Sequence, residues 1–338
     1  MRILLTGAPG WLGTRFVEWL LDASGPGRTL VPDPQIRALV LPQMDLAPLQ
    51  PFAGRVEIVT GDVRDPATLP PAVAGVDTIC HIAGIIHPQR LGDLYALNTE
   101  GTRRLLDAAK QARVRRFVYI SSNSVGGYTR SPEPLMTEVD PPRPYMNYGR
   151  SKWLAEQLVH DAGQRGAIES VVLRPCWYYG TGQPARQTRF FQMIKQGNPI
   201  LFGDGRNLRS LTYLDNLCQA MALAATTPQA NGQTYWIADE RPYPTIEIYE
   251  TVARLLHVAS LRPRKLPGLV SEGCMMTDAV LQRLGLYIAE IHVAGEMNKH
   301  IACSVAKAQR ELGYHPTVAL EEGMRRSIEW CRSRGIAL

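Results

Sequence analysis

The sequence lacks any Cys-x-x-Cys pair, and its six cysteines, Cys80, Cys176, Cys218, Cys274, Cys303 and Cys331, are scattered. That spacing argues against a disulfide framework and against a thiolate metal site. Cys80 and Cys176 lie in apolar runs and read as small buried hydrophobes. The seven histidines are equally dispersed, with no zinc-ligand spacing to one another or to cysteine, so no metal is expected. His81, His160 and His257 fall in expected helices or strands, where a packed imidazole is the simpler reading. No stretch approaches the roughly 18 uninterrupted apolar residues of a membrane span. The N-terminus has no basic region followed by a signal-peptide core. The expectation is a cytoplasmic protein with no membrane partner. Internal repeats and low-complexity tracts are absent as well.

What is present is a chain of 338 residues, 45% hydrophobic and 20% charged. That is the balance of a globular protein, long enough for a nucleotide-binding domain and a smaller lobe. The net charge of +6 is spread along the chain. Its densest groups, Arg113 to Arg116 and Arg325-Arg326, sit at or near helix ends and read as solvated faces rather than a nucleic-acid site. The same excess would help attract a phosphorylated cofactor or substrate.

Short Val- and Ile-rich runs without alternation, at 2–6, 36–41, 56–60, 77–82, 115–121 and 170–175, are expected as strands of a parallel sheet buried on both faces. Helical patterns at 12–22, 66–73, 93–111 and 147–164 separate them. Right-handed crossovers then give an α/β fold, a doubly wound parallel Rossmann sheet. The rhythm changes after Pro175. A smaller, discontinuous C-terminal substrate lobe is expected from 176–210 and 241–316. The stretch 211–240 returns to the first domain (1–175), and a terminal helix lies within 317–338. A helix is expected around 187–197 and another from Thr245. Residues 261–268 look like a loop, and 270–300 has mixed patterning that places no element.

Three junctions suit a dinucleotide. Gly7, Gly10 and Gly13 follow the first strand and open the first helix, where backbone N–H groups, including those of Trp11 and Leu12, and the helix N-terminus can meet a pyrophosphate. Asp62 and Val63 follow the third strand, where a carboxylate can accept from an adenine amino group; the plainer reading is a turn. Ala83 and Gly84 end the fourth strand, where small residues admit a ligand or simply pack. The cofactor is NAD or NADP. Strand two ends without the acidic residue or arginine that would decide between them, Asp45 and Arg37 being off register, and the reading tips towards NAD.

Tyr148 and Lys152 lie one turn apart at the start of a helix. An adjacent ammonium favours phenolate, so the tyrosine can exchange a proton with a substrate oxygen while hydride moves to or from nicotinamide. Tyr-x-x-x-Lys alone is commonly an exposed helix face. The preceding strand, Phe117 to Ser122, ends in hydroxyls at the sheet's carboxyl edge, where such folds bind ligands.

With these motifs the chain resembles the extended short-chain dehydrogenase/reductase family, the NAD-dependent epimerase/dehydratases. The resemblance spans nearly the whole chain and adds Asn98 to Thr102, Arg174-Pro175, Arg209 with Tyr213 to Asn216, and Ser304 to Pro316. It implies Ser122, Tyr148 and Lys152 as the catalytic set, with Tyr148, Lys152 and Pro175 also touching the cofactor. It implies Ser122, Ser124, Tyr178 and Arg209 as substrate contacts. A homodimer through 93–111 and 147–164 is a further implication.

The family's sugar dehydratases carry Asp and Glu where this chain has Asn123 and Ser124, which disfavours dehydration. Trp177, Tyr178 and Tyr179 resemble the hydroxysteroid and 3-keto-acid branches; they serve either as an apolar wall or as interdomain core. Gly203 to Ser210 suits sugar epimerases, in which an arginine matching Arg209 binds the diphosphate, although Arg209 also reads as a surface ion pair. The substrate is a nucleotide sugar or a hydrophobic hydroxy/keto compound. A non-catalytic NAD(P) sensor is disfavoured by the intact Ser122, Tyr148 and Lys152.

Overall fold

A computed structural model describes residues 1–129 and 131–338. The first part alternates β1 (Arg2–Thr6), α1 (Trp11–Leu21), β2 (Gln35–Val40), β3 (Val56–Thr60) and β4 (Thr78–His81). It continues with α2 (Thr102–Gln111), β5 (Arg116–Ile120), α3 (Met146–Gln164) and β6 (Glu169–Pro175). Later come β7 (Trp177–Tyr179), α4 (Ala185–Lys195), β8 (Leu208–Arg209), α5 (Leu214–Thr226), β9 (Gln233–Ile237) and α6 (Thr245–Leu255). The chain closes with α7 (Gly268–Arg283), α8 (Ala289–Glu296) and α9 (Leu320–Ser333), among shorter pieces.

Seven strands form one parallel sheet in the order β9-β6-β5-β4-β1-β2-β3. This is the expected doubly wound Rossmann architecture, with the chain reversing direction across the β1/β4 boundary, where such sheets leave a ligand crevice. One core packs α1 and α5 on one face of the sheet; a second packs α2 and α3 on the other. Both faces of the central strands are therefore apolar, which is why Val and Ile run without alternation there. β3 departs from that expectation: as the edge strand it stays half exposed.

A third core, holding Tyr179, Phe191, Tyr213, Ile248 and Met324, belongs to the lobe beyond β6. Three local expectations need correcting. The helix expected over 93–111 contains a π-helical stretch, Tyr95–Gly101, before α2. Residues 261–268 are not all loop, because Arg264–Leu266 pairs in parallel with Ile200–Phe202. The unplaced 270–300 region is mostly helix, α7 and α8 packed together as a hairpin.

One buried ion pair joins α3 to the sheet. Arg174 on β6 donates from Nε and Nη2 to the Glu156 carboxylate at 2.7–3.2 Å, and both side chains are nearly inaccessible. Breaking such a pair leaves one charge buried alone, which costs more than the pair itself contributes. Glu156→Ala is expected to lower unfolding free energy by about 3–5 kcal/mol in urea titrations. A loss below about 1 kcal/mol would contradict this role for the pair.

Candidate active site

The glycine turn is tight by necessity. Gly7 has φ of +87°, and a Cβ there would sit 2.8 Å from the Ala83 nitrogen. A Cβ on Gly13 would approach the Gly7 oxygen to 2.6 Å, so helix and turn touch backbone to backbone. Gly10 caps α1 without a side-chain acceptor, leaving the first-turn N–H groups free for an anion. Leu12 buries its side chain and offers only its backbone. The Trp11 indole donates to the Thr181 carbonyl at 2.7 Å, and its ring lies 5.3 Å from that of Tyr178.

Beneath this turn runs a chain of neutral hydrogen bonds. The Ala83 N–H donates to Thr6 Oγ1, which lies 2.7 Å from His81 Nδ1; His81 Nε2 lies 2.9 Å from Thr102 Oγ1, which donates to the Asn98 carbonyl. The two outer donors fix the direction, so Thr6 donates to Nδ1 and Nε2–H donates to Thr102. Burial, together with the Lys152 charge, pushes the His81 pKa down to about 3, which keeps this relay uncharged. His81 thus ties β1, β4 and α2 together under the turn.

Asn98, in the π-helical stretch, bonds both backbone polar groups of Ile85 and donates to the Ser151 hydroxyl. Ser151 donates onward to the Tyr148 carbonyl, and Thr99 donates to the Ser151 carbonyl. The start of α3 is therefore clamped to the segment after β4. Asn98 is a positioning residue whose role spacing did not reveal; the π-helical register, common at functional sites, is its structural mark.

Lys152 is buried, donates to the Ile120 carbonyl at 2.7 Å, and lies 4.3 Å from the centroid of the Tyr119 ring. Desolvation pushes its pKa down to about 7, against the pull of Glu156. The exposed Gly84 adjoins it, a Cβ there falling 3.8 Å from Nζ. At Tyr148, burial pushes the phenol up to about 12, and a hydrogen bond with Ser122 offsets part of that. Tyr178 and Glu296 also disfavour the phenolate, while Arg186 favours it. Ser122 ends β5, with its hydroxyl accepting from the Ser124 N–H at 3.2 Å and lying 3.3 Å from Ser124 Oγ. The C-terminal edge of the sheet thus gathers Ser122, Ser124, Tyr148, Lys152, Gly84 and Tyr178. Pro175 is buried at the end of β6.

Other expected residues sit differently. Asp62 is held by Arg64 at 2.6 Å, and Val63 is buried against Gly101. Arg37 faces away from any 2′-phosphate: it pairs with Glu57 and donates to the carbonyls of Pro71, Ala72 and Ala74 at the end of a short helix. Strand alternation separates the three aromatics. Trp177 packs on Phe190 and Tyr179 bonds Asp239 in the lobe core, leaving only Tyr178 towards the site. Arg209 is not a surface ion pair. It donates from Nη2 to the Glu296 carbonyl at 2.6 Å, and its buried Nε has no partner among the described residues.

The α7–α8 hairpin packs beside the start of α3. Gln282 accepts from the Asn147 side chain at 2.7 Å and donates to Asp278, which also lies 2.7 Å from His292 Nδ1. Burial works most strongly against charge on His292, but the Asp278 bond and the charges of Glu296 and Asp278 together outweigh it and raise the pKa. Burial likewise raises the pKa of Glu296. None of these residues was found from sequence, because the segment that carries them had no readable pattern.

A profile of the NAD dependent epimerase/dehydratase family matches residues 3–238, and the chain belongs to that family. It is an NAD-dependent enzyme of the extended short-chain type. An uncharacterized protein, y4nL, of Sinorhizobium fredii is 43% identical, covering 98% of this chain and 96% of its own length. A 3-beta-hydroxysteroid dehydrogenase of Mycolicibacterium neoaurum is 28% identical over 97% of this chain and 91% of its own. The solved structure of DesIV, a dTDP-glucose 4,6-dehydratase of Streptomyces venezuelae with NAD bound, superposes with a TM-score of 0.78 at 27% identity, covering 99% of this chain and 98% of that one. A UDP-glucuronic acid 4-epimerase of Bacillus cereus shares the fold, with a TM-score of 0.77 at 21% identity over 99% of this chain and all of its own.

The cofactor's residues fit this chain. The glycine turn has no room for a Cβ, α1 has free N-terminal donors, and Gly84 opens onto Lys152. Gly7→Ala is expected to weaken NAD binding at least about tenfold in calorimetric titration, since it adds both a clash and a strained φ. Unchanged affinity would contradict the role given to the turn.

Proposed function

We propose that the chain interconverts a secondary alcohol and a ketone on a hydroxyl-rich substrate of the sugar-nucleotide class, with Ser122, Tyr148 and Lys152 as its catalytic set. The observation that carries this reading is the polar surrounding of Tyr148. Ser122 bonds its hydroxyl, Tyr178, Arg186 and Glu296 act on its charge, and Gln282, paired with Asp278, bonds the neighbouring Asn147. Buried polar groups reward a substrate that bonds them and penalise one that leaves them unpaired. The hydroxysteroid alternative drew on three aromatics, and two of those face the lobe core instead.

When bound, NAD supplies the hydride acceptor. Ser122 holds the reacting oxygen, and Tyr148 takes or gives its proton. Lys152, kept near its tipping point by burial, supplies the nearby positive charge and fixes the geometry. Asn123 and Ser124 offer no acid or base beside the site, which favours epimerisation or net oxidation over dehydration. The Arg209 Nε, buried and unpartnered among the described residues, suits a diphosphate oxygen. A homodimer through α2 and α3 accords with the family resemblance, and its solution mass tests that directly.

Tyr148→Phe is expected to lower turnover of sugar nucleotides at least about a hundredfold while NAD still binds. Wild-type-like turnover in that variant would sink the proposal. The pH dependence follows from the raised phenol pKa. Alcohol oxidation needs phenolate, so its kcat/KM should climb with pH up to the alkaline limit of stability. Ketone reduction needs the phenol and should not rise. Oxidation that falls over the same range would rule out Tyr148 as the base.

A further inference from the structure

The helix α7 is inside out. Its buried residues are Ser271, Asp278 and Gln282, all polar and all turned inward, onto α8 and the start of α3. Its outward stripe is Leu269, Met276 and Val280, continued by Leu284 just past the helix end; these side chains are 80%, 68%, 54% and 71% exposed. At 100° per residue the two sets lie on opposite faces. The connection to α8 extends the apolar surface through Leu286 and Ile288. Of fourteen exposed large hydrophobics among the described residues, eight fall between Leu269 and Val293. A surface helix in water normally turns the other way, and a contiguous exposed apolar patch marks an interaction site.

The charges beside the stripe select its partner. Arg262, Arg264, Lys265 and Arg283 are exposed around the hairpin, against two exposed acids, Glu290 and Asp204, the latter paired with Arg206. Glu272 is engaged by Lys299, and Asp278 by Gln282 and His292. Two copies meeting through this face would bring like charges together, whereas an anionic bilayer would meet them with headgroups of opposite sign. Apolar side chains flanked by basic ones are the recipe for a helix lying in the membrane interface. No helix among the described residues is long and apolar enough to cross a membrane, so the contact would be peripheral.

We infer that the α7–α8 hairpin docks the protein on an anionic lipid surface, with the stripe from Leu269 to Leu284 in the acyl boundary and the basic residues at the headgroups. This goes beyond the expectation of no membrane partner, and it stands independently of the substrate assigned above. On the inward face of the same helix, Gln282 bonds Asn147, next to Tyr148.

The test uses the full chain and co-sedimentation with phosphatidylglycerol–phosphatidylcholine vesicles at low salt. Wild type should bind these vesicles, bind pure phosphatidylcholine far less, and be released by salt. The double variant Met276→Glu/Leu284→Glu should bind at least about tenfold less. Both side chains are exposed, and an unchanged thermal melt would show that the fold survives. Arg264→Gln and Lys265→Gln, which leave the stripe intact, should each cost about fivefold in partitioning. The inference is overturned if wild type ignores anionic vesicles at low salt, or if the Met276→Glu/Leu284→Glu variant binds them as wild type does. It is equally overturned if that variant splits an oligomer in light scattering, which would make a second copy the occupant.

Discussion

The buried pairing of Glu156 with Arg174 fixes where α3 lies on the sheet, and the site geometry follows from that placement. One turn before Glu156, Lys152 reaches the carbonyl that ends β5; one turn earlier again stands Tyr148. The buried face of α3 is therefore polar over much of its first half, Ser151, Lys152 and Glu156 being inaccessible. Every one of those groups needs a specific partner, because an unpaired polar group in the interior costs more than a paired one contributes. Asn98, Ile120 and Arg174 provide them. A helix held this way has one register, and the proposed catalytic pair inherits its precision from the helix.

Electrostatics at the site are governed by desolvation. Burial pushes Tyr148 up, and Lys152 and His81 down. The expected lowering of the tyrosine by its lysine neighbour is not seen: burial dominates, and Ser122 and Arg186 supply what opposes it. A phenol that stays protonated is a proton donor to a ketone. Its conversion to a base depends on Ser122, on Arg186 and on positive charge arriving with the cofactor. His81 contributes by staying neutral: a charged imidazole under the glycine turn would break the direction of the Thr6–His81–Thr102 relay.

The sheet and the glycine turn were legible in the sequence because each depends on residues near one another in the chain, whereas the proposed Ser122–Tyr148–Lys152 set leans on the family resemblance. Buried parallel strands announce themselves as apolar runs, and a backbone that touches backbone demands glycine. The α7–α8 hairpin was illegible for an equally physical reason. In α7 the hydrophobic pattern is inverted, so periodicity gives no signal for a core-facing helix, and Gln282 meets Asn147 across a long sequence separation. Trp177 and Tyr179 stayed open between wall and core for want of one fact, the side of β7 that faces the lobe core, and the core reading holds for both. Arg209 stayed open in the sequence between a diphosphate contact and a surface ion pair, and its burial beside Glu296 removes the second.

The account rests on hydride chemistry at a polar site, and one measurement meets it head on. Purified protein is mixed with NAD and, in parallel, with a panel of UDP- and dTDP-sugars and a panel of apolar secondary alcohols, and the absorbance of reduced nicotinamide is followed through a single turnover. The account predicts reduction with at least one sugar nucleotide and none with the apolar alcohols. Reduction by the apolar alcohols alone, or by neither panel, would contradict it.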